Sequence, residues 1–183
     1  MRLIPRLLRD VRGIAASEFA LILPILVLFT AGTVEYSRLI LLTQKLQSGS
    51  FILADLTARD KTLKVGDLDN IFLALDRVIQ PFPFATDGKA IVSSIGYDST
   101  AKAPVVNWQR TGAGTLAAAS QIGSSGKTAT LPSDLTIAAG ETIISAEVYY
   151  QFEPLFGLGI APRTIRKVAY FKPRLGSLDT LLP

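Results

Sequence analysis

From Ile14 to Val34 the chain carries one charged side chain, Glu18. An α-helix rises about 1.5 Å per residue, so roughly 20 such residues cross the hydrocarbon core of a bilayer. Residues 14–34 therefore read as a transmembrane helix. A carboxylate inside such a segment costs about 2.5–3.5 kcal/mol or less, depending on depth. Its presence points to a use. Arg2, Arg6, Arg9 and Arg12 precede the segment, with Asp10 their only opposite charge, and so supply three of the four net positive charges of the chain. The basic character thus belongs to residues 1–13 and gives no nucleic-acid-binding face. Arginine-rich flanks stay in the cytoplasm, which puts everything after Val34 outside, in a bacterial periplasm or beyond. A chain of 183 residues has room for this segment and one modest domain.

The segment opens with a patterned motif, Arg12-Gly13-Ile14-Ala15-Ala16-Ser17-Glu18-Phe19. A glycine, four small or apolar residues, a glutamate and an aromatic stand at the head of an apolar helix. This resembles the processing site of type IV prepilins, and in detail the TadE/TadG-like pseudopilins of the Tad (Flp, type IVc) pilus system. The resemblance implies that a prepilin peptidase cuts between Gly13 and Ile14, making residues 1–13 a leader and Glu18 the fifth residue of the mature chain. It further implies that Glu18 pairs with the new amine of Ile14, on its own or a neighbouring subunit, and so registers one helix against the next. The expected partners are that peptidase, other minor and major Tad pilins, the inner-membrane pilus assembly platform and the membrane itself. The implied role is a minor pseudopilin in pilus biogenesis, at initiation or the tip, with consequences for surface adhesion. Other readings of the same residues are an uncleaved signal anchor, serving a single-pass scaffold or adhesin domain of the same machinery, and a secretory signal. The latter needs a small-residue cleavage site after the apolar run, and Phe29-Thr30-Ala31-Gly32-Thr33 is a poor one.

The chain contains no Cys and no His. Thiol nucleophiles, imidazole bases and the usual zinc, copper and haem ligands are therefore missing. With no convergent carboxylate set either, neither an enzyme nor a cofactor is expected.

Beyond the membrane the helix is predicted to continue to Arg59. Leu39, Leu42, Leu46, Leu53 and Leu56 recur at helical spacings, with Gly49 at the missing step. Pro24 removes a backbone donor and should kink the helix. Glu35 and Arg38 lie one turn apart, where they can pair weakly at the membrane surface. Residues 60–183 then form an extracytoplasmic domain. A second helix carries Leu68, Ile71, Phe72, Leu75, Val78 and Ile79 on one face, with Asp67 as its cap and Pro81 after its end. Strands are predicted over Lys89–Tyr97, Pro104–Gln109, Glu141–Phe152 and Arg163–Lys172, joined by connections short enough for antiparallel pairing. The fold class is α+β. The long N-terminal helix packing on a small antiparallel sheet is the pilin-like part of that expectation, and it comes from the resemblance.

The family likeness returns at Val148–Ile160 and Val168–Arg174, which look like its strand with apolar loop and its closing strand with a basic-Pro-Arg ending. In the apolar loop of the first, Leu155, Phe156, Leu158 and Ile160 crowd into a connection that should be polar. The sheet, a partner subunit or the membrane surface must cover them. A partner contact is favoured. Thr111–Leu131 reads as a mobile Gly/Ala/Ser/Thr loop with room for a short helix at Thr115–Ala119. Within it, Gln121–Thr128 has only a passing likeness to a phosphate-binding loop, because Gln121 stands where glycine is required. Ser124 and Lys127 have acyl-enzyme spacing, without the companion motifs. Asp67, Asp69 and Asn70 lack the spread of ligands a calcium loop needs. Trp108, Tyr149 and Tyr150 are assigned to packing on strands.

Overall fold

The computed structural model describes residues 12–183. Helix α1 runs Arg12–Arg59 as one 48-residue element, continuing through Pro24 without interruption. It is followed by β1 (Leu63–Lys64), α2 (Val65–Ile79), α3 (Phe84–Asp87), β2 (Gly88–Asp98), β3 (Ala103–Gly112), β4 (Thr142–Phe152), β5 (Arg163–Phe171) and β6 (Leu181–Leu182). The chain divides into two compact units. One holds residues up to Leu39 together with Pro154–Ala161; the other holds Ile40–Glu153 and Pro162–Pro183.

In the first unit, the window of highest hydropathy in α1 is entirely unburied. By length and composition this helix suits a single membrane crossing.

In the second unit, β3-β2-β4-β5 form an antiparallel sheet, and β1 pairs with β6 in a separate parallel ladder. The four predicted strands are all present, with ends shifted by three residues or fewer. One sheet face meets helices. Phe171 of β5 meets the ring of Phe51 of α1 edge-on, while Tyr150 of β4 meets Phe82 and Phe84. Leu42, Leu46 and Leu53 of α1 are buried, as the leucine stripe requires. Gly49 on that stripe allows close approach, since a Cβ there would lie 2.8 Å from Leu75 Cδ1 of α2 and make that side chain shift. After β5 the chain returns to α1: the Arg174 amide donates to the Ala58 carbonyl, and its guanidinium pairs with Asp55.

The other sheet face is covered as well, in keeping with the packing expected of Tyr149. Ser145, Glu147 and Tyr149 occupy the polar half of the β4 alternation, yet all three are buried. Their cover is the segment after β3. Ile122, Ala129 and Ile137 from it pack on Ile95, Val106 and Ile143 of the sheet. Backbone bonds tie the same segment down: Val106 donates to Lys127, Gly126 to Val106, and Ala129 to Pro104. The expected free loop over Thr111–Leu131 is thus a docked layer, and Thr115–Ala119 forms no helix there. Leu116 donates its amide to Gly88 instead. A second correction concerns α2. Its N-cap is Lys64, and Asp67 lies inside the first turn.

Candidate functional site

The helix start presents its motif outward. Gly13, Ile14, Glu18 and Phe19 are all exposed, and the Gly13–Ile14 bond lies within the helix. The side chain of Arg12, and Arg2, Arg6 and Arg9 altogether, lie outside the described residues. Ser17 donates its hydroxyl to the Ile14 carbonyl at 2.8 Å. A Cβ placed on Gly13 would meet nothing within 4 Å. The described fold therefore makes no steric demand for glycine at this position. No described residue pairs with Glu18, which stands among exposed apolar side chains.

Further along α1, Glu35 behaves differently from expectation. It is fully buried, and its carboxylate accepts the backbone N–H groups of Leu155 at 3.0 Å and Phe156 at 2.7 Å. Both oxygens are taken by these amides rather than by Arg38. Arg38 Nη1 is buried without a hydrogen-bond partner. The sequence did carry a signal. Glu35 stands seven residues before Leu42 and fourteen before Gly49, on the buried stripe of the helix. In the loop it holds, Leu155 and Phe156 are 60% and 54% exposed, Leu158 is half-buried and Ile160 is buried. Burial inside the protein accounts for Ile160. It does not account for Leu155 and Phe156.

A third cluster lies on the covered sheet face. Glu147 of β4 is fully buried. Arg166 of β5 reaches Glu147 Oε1 through both Nε and Nη2 at 2.8 Å. The Tyr149 hydroxyl donates to the same oxygen at 2.7 Å, the Gln121 amide at 3.1 Å, and Ser120 donates to Oε2. Strand register explains the meeting. Tyr149 stands opposite Arg166, and Glu147 lies two residues along the same face. Burial pushes the Tyr149 hydroxyl up to about 12, helped by its hydrogen bond to Glu147 and the charge there. For Arg166, burial works against the cation, but the hydrogen bond and charge of Glu147 outweigh it and hold the guanidinium above its ordinary value. Every donor ends on a carboxylate oxygen, which is how a structural ion pair is satisfied.

The remaining motifs fold as structure. The phosphate-loop look-alike makes a turn in which Lys127 donates its amide to the Ser124 carbonyl, and Thr128 then bridges to Val105 beside the sheet edge. Asp69 pairs with Arg110 at 2.8 Å. Trp108 is buried and donates to the Leu178 carbonyl at 2.8 Å. A hollow of about 350 Å³ beside the docked layer, lined by Ile91, Gln109, Thr111 and Ser120 among others, has no titratable side chain in its wall.

No curated protein and no solved structure matches the chain. The family model described as TadE-like protein matches residues 13–53, from the motif glycine through the membrane-length helix and into its packed half. By that match, the N-terminal helix of this chain is TadE-like.

Proposed function

We propose that the chain is a minor pseudopilin of a Tad-type pilus: a structural and assembly subunit acting in pilus biogenesis at initiation or the tip, and through it in surface adhesion. The TadE-like match across an unburied apolar helix carries this reading. Gly13 supports it as the processing position, because the fold itself has no need of a glycine there. Ile14 would supply the new amine, and Glu18 the carboxylate that registers it. Arg12 and Phe19 complete the recognition motif. The partners are a prepilin peptidase, other minor and major Tad pilins and the inner-membrane assembly platform. We propose no catalytic role, because the sequence has no Cys, no His and no convergent carboxylate set.

Processing has a direct test. Intact-mass spectrometry of protein extracted from the producing cell's membrane is expected to show loss of residues 1–13. A full-length mass would favour an uncleaved scaffold or adhesin domain of the same machinery. Orientation has another. The arginines before the apolar segment should hold the N-terminus in the cytoplasm and place the domain after Tyr36 in the periplasm, with the protein in the inner membrane. A reporter fused after Pro183 is expected to be active only when its periplasmic form is used. Activity of the cytoplasmic form alone would reverse the topology.

A further inference from the structure

The loop Pro154–Ala161 belongs to the same compact unit as the apolar half of α1. Gly157 and Gly159 turn it at φ +66° and +77°, a region that favours glycine. Its exposed end, Leu155 and Phe156, is held where their two amides donate to the buried carboxylate of Glu35. Two amide donors, one on each oxygen of a single carboxyl group, fix direction as well as distance. Glu35 directly follows Val34, the last residue of the apolar stretch. Residues 14–34 span about 31 Å as a helix, the thickness of a bilayer's hydrocarbon core. With the helix across a bilayer, Glu35 therefore sits at the boundary between hydrocarbon and headgroups. The two amides it holds sit at the same depth.

The exposed apolar surface of the helix runs up to this level through Phe29 and Val34, and Tyr36 is exposed just beyond it. Tyrosine is enriched at this boundary of a membrane. Leu155 and Phe156 extend the lipid-facing surface sideways at its edge. We infer that Leu155 and Phe156 are a second membrane anchor, inserted into the headgroup–acyl boundary and locked in place by Glu35. The inference rests on the membrane-spanning reading of α1. It explains why a carboxylate is buried at the end of an apolar segment: Glu35 finds its hydrogen bonds in the loop where water is scarce. It also gives the helix two attachments instead of one, which restrains rotation about its own axis and so fixes the direction in which Glu18 faces a neighbour.

The chain has no cysteine, so one introduced residue takes a nitroxide label uniquely. Full-length Phe156→Cys, Leu26→Cys and Ser99→Cys proteins would be labelled and reconstituted in vesicles of phosphatidylethanolamine and phosphatidylglycerol. Collisions with oxygen are expected to exceed those with a water-soluble nickel chelate severalfold at 26 and at 156, and the order is expected to reverse at 99, in the exposed turn after β2. Adding Glu35→Ala should move the label at 156 into water and leave the label at 26 in lipid, with unchanged Trp108 emission showing that the sheet domain is folded. A label at 156 in water while 26 is in lipid overturns the anchor. A label at 156 shielded from both reagents means that protein covers the pair, and also overturns it. A label at 26 in water removes the membrane-spanning reading itself. An unmoved label at 156 in the Glu35→Ala protein eliminates the lock.

Discussion

Gly13→Val is expected to keep its leader, and Glu18→Ala to lose its leader normally yet no longer co-purify with partner pilins. On the proposed reading, the two effects separate because the residues serve different steps. A Cβ at position 13 would meet nothing within 4 Å among the described residues. Helix and membrane segment should therefore form as before, and failure of cleavage reports on the peptidase alone. A cleft that must reach the next carbonyl is obstructed by a β-branched side chain beside it. Glu18 stands four residues beyond Ile14, one helical turn along the same face. Its removal lifts the desolvation cost of a carboxylate in the bilayer, so insertion survives or improves. What should disappear is the proposed pairing with the Ile14 amine that cleavage would create, and a dry surrounding makes such an attraction stronger than it would be in water. Glu18→Lys should fail more severely, since it sets two positive charges together. An immunoblot for leader removal, run beside co-purification of the partner pilins, reads both steps. If the Glu18→Ala protein still binds its partners, Glu18 is only a charge at the membrane edge, with its side chain reaching for water.

Much of this architecture was legible because its signals are strong and local. Twenty-one residues with one charge admit few structures, and the spacing from Leu39 to Leu56 predicts a helix that ends about Arg59, where the helix is observed to end. Residue alternation from Ile144 to Phe152 predicts β4. The alternation leaves open what covers its polar half, because period two tells which residues share a face and not what lies over that face. Here the cover is Thr111–Leu131 and the residues after it, where Ile122, Ala129 and Ile137 make the apolar contact and backbone hydrogen bonds do the rest. Backbone bonds leave no mark in side-chain type. Two-residue strands such as β1 and β6 are too short for any pattern. Glu35 was readable only by extending the leucine stripe one heptad into the membrane end. The charge of a neighbouring arginine suggested a surface pair instead.

The buried pair on the covered face should show a change of sign. Arg166→Met leaves Glu147 fully buried without its counter-charge. Removing one partner of a buried pair costs about 3–5 kcal/mol, and the quarter-exposed Arg166 side chain puts this case near 3 kcal/mol. Glu147→Gln alone should also destabilise, because it strips the guanidinium of its anion. In the Arg166→Met background the same Glu147→Gln change should stabilise. It removes the uncompensated charge, while a carboxamide oxygen at the Oε1 position still accepts from Tyr149 and the Gln121 amide, and the amide nitrogen at the Oε2 position donates to the Ser120 hydroxyl oxygen. Tyr149 adds a pH dependence. Its hydroxyl titrates near 10 in the unfolded chain and at about 12 in the folded one, so over that window the unfolded state gives up the proton first. Stability from this group is complete below pH about 10 and is lost as pH rises through about 12, a loss that Tyr149→Phe should abolish. Trp108 is the only tryptophan and lies on β3, so its emission during urea unfolding of the detergent-solubilised chain reports on this sheet. If Glu147→Gln lowers the urea midpoint in both backgrounds, Arg166 is not the charge that makes a buried carboxylate tolerable here, and the network is held by its hydrogen bonds alone.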